Sequence, residues 1–151
     1  MLYLYHATDA ANLDSILKDG LLLNPPKHAF AETIGTEFLK DRIFLAVNAD
    51  VAESYAEVAD ECPENIAVLR IPLPELDETA ICYDWNNRCE YRSDINSVVY
   101  LKAIGPESIS VVEDIEQEPY QDLESFRRTY LYQTILDTFD EEVETNLENR
   151  N

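Results

Sequence analysis

The stretch LYLYHATDAANLDSILKDGLLL, residues 2–23, decides how the fold begins. Leu2-Tyr3-Leu4-Tyr5-His6 is rich in residues that suit a pleated, half-buried surface, so it reads as a strand. Thr8 and Asp9 can each accept a hydrogen bond from the open N–H groups of a first helical turn, and Leu13, Ile16 and Leu17 follow at helical spacing. Gly20 stops that helix. The opening is therefore strand, short helix, exit.

The pattern then repeats. Residues 24–41 hold Pro25-Pro26 and no sustained period, which predicts a loop with at most one short helical turn. Ile43-Phe44-Leu45-Ala46-Val47 is an apolar strand, and Asn48 can cap a helix on which Val51, Tyr55 and Val58 or Ala59 share a face. Ile66 to Ile71 is a third strand, closed by Pro72 and Pro74, and Ala80 to Tyr83 is a weaker one. Residues 84–97 are polar and read as a connection. Val98 to Ile104, a Gly105-Pro106 turn and a short strand over Ile109 to Val112 follow. The connections after residue 66 are mostly too short for helical crossovers, so the class is α+β with antiparallel or mixed strands.

From residue 113 the composition shifts. Leu123, Phe126, Tyr130, Leu131, Ile135, Phe139, Val143 and Leu147 recur every three or four residues in an acidic background. This predicts one amphipathic helix or a bent pair, whose apolar stripe packs on the sheet or meets a partner or second copy. The 151 residues are the size of one domain, divided here into a core over 1–112 and an acidic helical extension over 113–151.

The chain carries 31 Asp and Glu against 11 Lys and Arg, a formal charge of -20. Long-range repulsion disfavours direct binding to nucleic-acid phosphates or to an anionic membrane face. Yet 46% of residues are apolar, enough to build a core. The N-terminus has neither a basic n-region nor a long apolar span, so neither a signal peptide nor a membrane helix is expected. Cys62, Cys82 and Cys89 are odd in number and form no CxxC pair, which fits reduced thiols and a cytoplasmic protein. No two of them, nor His6 and His28, have finger-like spacing, so no metal site is expected.

His6 stands at the end of the first strand, immediately before the capping turn. A lone His is commonly a hydrogen-bonded structural residue. Its context, however, resembles the opening of the ADP-ribosyltransferase fold, in which strand one ends in a His and a helix leads to a Gly-Leu exit. Arg42 to Ala46, followed by Asn48 to Ala56, resembles the second motif of the poly(ADP-ribose) polymerase branch. Without a gap, Phe44 falls on that motif's strand Tyr and Tyr55 on its helix Tyr. Ala103 to Ile109 is similar to a common ending of the family.

The resemblance spans residues 2 to about 112 and implies a fold, a cofactor and roles. NAD would be the substrate, with His6 on its ribose and Phe44 and Tyr55 around its nicotinamide. Stacking suits that ring, which is flat and cationic. The family's third motif is a Glu at the head of a late strand, where this chain has Asn96 and Ser97. Asn96 is thus a candidate contact to NAD, and Glu90 and Asp94 upstream are the candidate catalytic carboxylates. The implied activity is transfer of ADP-ribose to a protein or small-molecule acceptor. Two other functions compete with it: an inactive scaffold of the same fold, and an acidic mimic of nucleic acid that occupies a basic groove on a protein partner. No GxSxG, P-loop, GxGxxG or HExxH motif points elsewhere.

Repulsion among the 31 acids makes stability depend on salt. The melting temperature is expected to rise with ionic strength. A melting temperature insensitive to salt would show that the charges are paired or widely spread.

Overall fold

The computed structural model describes residues 1–23, 41–59, 65–84, 87 and 89–149. The expected loop over 24–41 lies outside these residues except at Asp41, as do His28, Cys62 and the side chains of Val58, Ala59 and Leu147.

Six strands form one sheet: β1 (Tyr3–Asp9), β2 (Ile43–Ala46), β3 (Ile66–Pro72), β4 (Ile81–Tyr83), β5 (Ser97–Tyr100) and β6 (Ser110–Val111). Their spatial order is β4-β5-β2-β1-β3-β6 and every pairing is antiparallel. Three α-helices accompany them among the described residues: α1 (Leu13–Asp19), α2 (Ala49–Ala59) and α3 (Tyr130–Asn149). The architecture is α+β. None of these helices is long and apolar enough to cross a membrane.

Asp9 does accept from a turn N–H, that of Ala11 at 2.9 Å, but it caps a short 3-10 turn that precedes α1. Gly20 closes α1 at φ 84°, and a Cβ there would fall 2.1 Å from the carbonyl oxygen of Ile104. Only glycine fits both the left-handed backbone and that close approach. The approach is enforced by Leu21, which exchanges backbone hydrogen bonds with Ile104.

Strand alternation divides the apolar residues between two sides of the sheet. Leu4, Leu45, Val47, Leu69, Ile71, Ile81, Tyr83 and Val98 belong to the main core. Leu131, Ile135 and Phe139, spaced four apart on α3, complete it, and Phe139 meets Tyr83 edge-on with ring centroids 5.4 Å apart. The apolar stripe of the tail is thus buried on the chain's own sheet. Tyr130 is 58% exposed, because a stripe through positions 131, 135 and 139 turns it outward. The tail is not one continuous helix: Leu123–Phe126 forms a separate 3-10 turn with an Asp122–Ser125 capping box, and it buries Leu123 and Phe126. On the other side, Ala49 and Ala52 of α2 pack with Tyr5, Ala46 and Val68. Small side chains on both surfaces let helix and sheet approach closely.

The centre of the sheet contains a seam. β1 pairs with β3 over seven residues and β2 with β5 over four, but β1 and β2 pair only at Tyr5 and Ala46. On one side of that pair the buried Gln121 stands in for a strand. Its side chain accepts from Tyr3 N–H at 2.9 Å and donates to the carbonyls of Tyr3 at 2.8 Å and Val47 at 2.9 Å. Its own N–H donates to Asn48 Oδ1 at 2.7 Å, so the side chain expected to cap α2 anchors the tail. Nearby, Glu118 accepts from the Tyr5 hydroxyl at 3.1 Å and pairs with Arg70, whose guanidinium lies 4.7 Å from the Tyr3 ring centre.

Gln121→Leu removes the partners of buried backbone groups on Tyr3 and Val47. Since one unsatisfied group costs about 1–3 kcal/mol, the variant is expected to lose roughly 2–4 kcal/mol in urea denaturation. A loss below about 0.5 kcal/mol, the range of an ordinary surface change, would show that the seam closes without this amide.

Candidate functional site

His6 occupies the other side of the seam. Its Nδ1 lies 2.8 Å from the carbonyl oxygen of Phe44, where a ladder hydrogen bond would otherwise run. A carbonyl can only accept, so Nδ1 carries the proton and the neutral ring keeps its Nε2 lone pair. Burial pushes the His6 pKa below its ordinary value of 6.5, partly opposed by the Phe44 carbonyl. At neutral pH the ring is uncharged, and Nε2 can accept from a hydroxyl.

Phe44 is half-buried on β2. Alternation puts its ring on the same side of the sheet as Ala46, the side that α2 covers and against which Tyr55 packs. His6 shares its side of the strand with Leu4 and Thr8 and so lies toward the other side of the sheet. The structure therefore joins His6 to the backbone of Phe44, while the Phe44 ring shares a side with Tyr55.

Tyr55 leads into a polar network at the head of β5. Its hydroxyl donates to Asn96 Oδ1 at 2.7 Å and accepts from Asn87 Nδ2. Asn87 Nδ2 also lies 2.9 Å from Asn96 Oδ1 and 2.9 Å from Ser97 Oγ. Ser97, 2% exposed, donates at 3.0 Å to Asp84 Oδ2, and Asp84 is itself only 5% exposed. Burial, reinforced by the Asp84 charge, raises the Tyr55 pKa against the opposing bonds from Ser97 and Asn87, so the phenol keeps its proton.

Of the residues expected from the sequence, His6 and Phe44 form one bonded pair and Tyr55 and Asn96 another. Glu90 and Asp94 are exposed, and among the described residues neither carboxylate bonds to the network. Two members were missed, Asp84 and Asn87. Tyr83 faces Val98 in the β4–β5 pairing, so Asp84 comes opposite Ser97, one step further along. The available signal was an acid directly after the β4 residues Ile81–Tyr83. Only the strand register tells that it reaches Ser97.

No family model matches the chain, and no curated protein sequence matches it. Among the described residues, no three His, Cys, Asp or Glu side chains are grouped so as to hold a metal ion.

The low pKa of His6 fixes the sign of its effect on stability. The unfolded chain takes up a proton near pH 6.5 that the folded chain refuses, so the stability from His6 is complete above that pH. It declines as the pH falls below it toward the folded pKa. Urea denaturation at pH 7.5 and 5.5 is expected to show a smaller pH-dependent loss for His6→Gln than for the wild type. Equal losses would place the proton uptake elsewhere.

Proposed function

We propose that the chain binds NAD and transfers its ADP-ribose to a protein side chain or a small molecule. The observation that carries this reading is that the residues chosen from the ADP-ribosyltransferase resemblance fall into two bonded pairs, one across the seam and one at the head of β5. Three strands and a helix distant in sequence bring His6 onto Phe44 and Tyr55 onto Asn96 through two hydrogen bonds. The neutral His6 supplies an acceptor for a ribose hydroxyl, and Tyr55 and Phe44 supply aromatic faces on one side of the sheet.

In this reaction the bond between the nicotinamide nitrogen and ribose C1′ breaks, and its electron pair leaves with nicotinamide. Positive charge develops at C1′ until an acceptor oxygen or nitrogen bonds there and gives up its proton. Fixed negative charge close to that carbon speeds such a step. Asp84 supports the reading because it puts a buried carboxylate against Ser97, where the resemblance left no acid. We assign it that role in place of Glu90 and Asp94. The competing reading, an inactive scaffold of the same fold, draws on the neutral side chains at Asn96 and Ser97.

NAD hydrolysis and labelled ADP-ribose transfer separate the two. Asp84→Asn is expected to lower turnover by about 10²–10³, the usual scale for one preorganised electrostatic group. Tyr55→Ala is expected to weaken NAD binding by roughly 1–3 kcal/mol, as for other aromatic platforms. Turnover lost in Glu90→Gln or Asp94→Asn but kept in Asp84→Asn would return the role to the exposed acids. A wild-type protein that neither binds nor turns over NAD overturns the transferase reading.

A further inference from the structure

Hydrogen-bond direction in the network at the head of β5 is set from its buried end. Asp84 as a carboxylate can only accept, so Ser97 donates to it. Ser97 Oγ then accepts from Asn87, which places the amide nitrogen of Asn87, and not its oxygen, inside the network. That nitrogen lies against the oxygen of Asn96, which also receives the Tyr55 proton. Both side-chain amides are thereby held in one of their two possible orientations.

The same chain of reasoning identifies what is left over. The two N–H groups of Asn96 Nδ2 and the oxygen Asn87 Oδ1 have no partner among the described residues; both residues are half-buried, and because no buried side-chain polar atom among them lacks a partner, these atoms are open to solvent and to an incoming ligand. An amide N–H donor and an amide oxygen acceptor, fixed on adjacent residues of one network, match a group that offers an acceptor and a donor in return. The Tyr55 ring ends in that network, which adds an aromatic face.

We propose that Asn87 and Asn96 form a recognition element for an aromatic carboxamide, with Asn96 Nδ2 donating to the ligand's carbonyl oxygen and Asn87 Oδ1 accepting from its N–H. Ser97 and Asp84 are positioning residues for this pair. The inference rests on the NAD reading for its natural ligand, since the nicotinamide end of NAD carries such a group. The element itself follows from the unpaired atoms. It assigns specificity to two side chains that the stacking rings cannot supply, because a ring face accepts any flat partner.

The test uses the full chain and three probes that differ in one group: benzamide, with acceptor and donors; acetophenone, with the acceptor alone; and benzamidine, with donors alone. Calorimetry on the wild type is expected to favour benzamide over acetophenone by about tenfold, the effect of one well-made hydrogen bond. Asn87→Ala and Ser97→Ala are expected to bring that ratio close to one, the first by removing the acceptor and the second by releasing its orientation. Asn96→Asp has the same shape and keeps the oxygen that receives the Tyr55 proton, and far-UV circular dichroism and a melting curve check that its fold is kept. It exchanges donors for acceptors and is expected to raise the benzamidine-to-benzamide affinity ratio at least about tenfold over the wild type.

A wild type that binds benzamide and acetophenone equally, or binds no benzamide at millimolar concentration, overturns the proposal. So do ratios unchanged in all three variants. NAD titrated beside the probes separates the two readings. NAD binding without probe discrimination defeats the amide element and leaves the transferase reading standing. Discrimination as expected, with no NAD binding, supports the amide element and removes NAD as its ligand.

Discussion

A single residue pair, Tyr5 with Ala46, holds the two central strands of the sheet together, and the rest of the molecule is arranged around that weakness. Strands usually meet through a ladder of backbone bonds. Here β1 and β2 diverge on both sides of one rung, which would strand polar groups in the middle of a core. Two side chains meet the need, Gln121 at Tyr3 and Val47, and His6 at Phe44. A side-chain amide carries the same donor and acceptor as a peptide, so Gln121 can replace a missing strand residue without a mismatch. It arrives from the far end of the chain, which ties the tail into the sheet and explains why side chains from Leu123 to Val143 join or pack against the core.

The seam also explains the position of the chemistry. Beyond Ala46, β2 continues only through the bond from Val47 N–H to the Asn96 carbonyl, and α2 begins two residues later. The chain must therefore turn away from the sheet at the point where β5 begins and β4 ends. Asn96, Ser97 and Asp84 meet at that corner, and Tyr55, nearly two turns into α2, reaches back over it. The small residues Ala46, Ala49 and Ala52 permit the helix to sit close enough for the phenol to arrive. Packing on one side and strand register on the other thus assemble a polar cluster that no local segment contains.

The elements themselves were legible in the sequence. The strand-favouring run before His6, the shared helical face of Val51 and Tyr55 and the four-residue spacing of Leu131, Ile135 and Phe139 each express a local rule of strand or helix geometry. Register was not legible, because it depends on how separate segments slide past one another. Asp84 appeared as the first residue of a polar connection, and only the pairing of Tyr83 with Val98 turns it toward Ser97. Gln121 was less visible still. It lies 118 positions from Tyr3 and 74 from Val47, and nothing in its neighbours marks it as a surrogate strand. The candidates His6, Phe44, Tyr55 and Asn96 came singly from motif likeness, whereas their pairing, the carboxylate and the second amide could come only from three dimensions.

The two fillers of the seam differ in one property with functional weight. Gln121 cannot titrate, so its end of the seam presents the same donors and acceptor at any pH. His6 can. Its Nδ1–H donates to Phe44 in both the neutral and the protonated ring, so taking up a proton leaves the seam bonded. What changes is Nε2, which turns from an acceptor into a donor. Burial holds the ring in its neutral form and thus reserves Nε2 as an acceptor, a choice that suits a ligand hydroxyl and rejects a carbonyl. In a chain of charge -20 the long-range field would favour a cation, yet burial is the larger influence on this ring. The same desolvation that fills a gap in the sheet therefore fixes the hydrogen-bonding character of the site beside it.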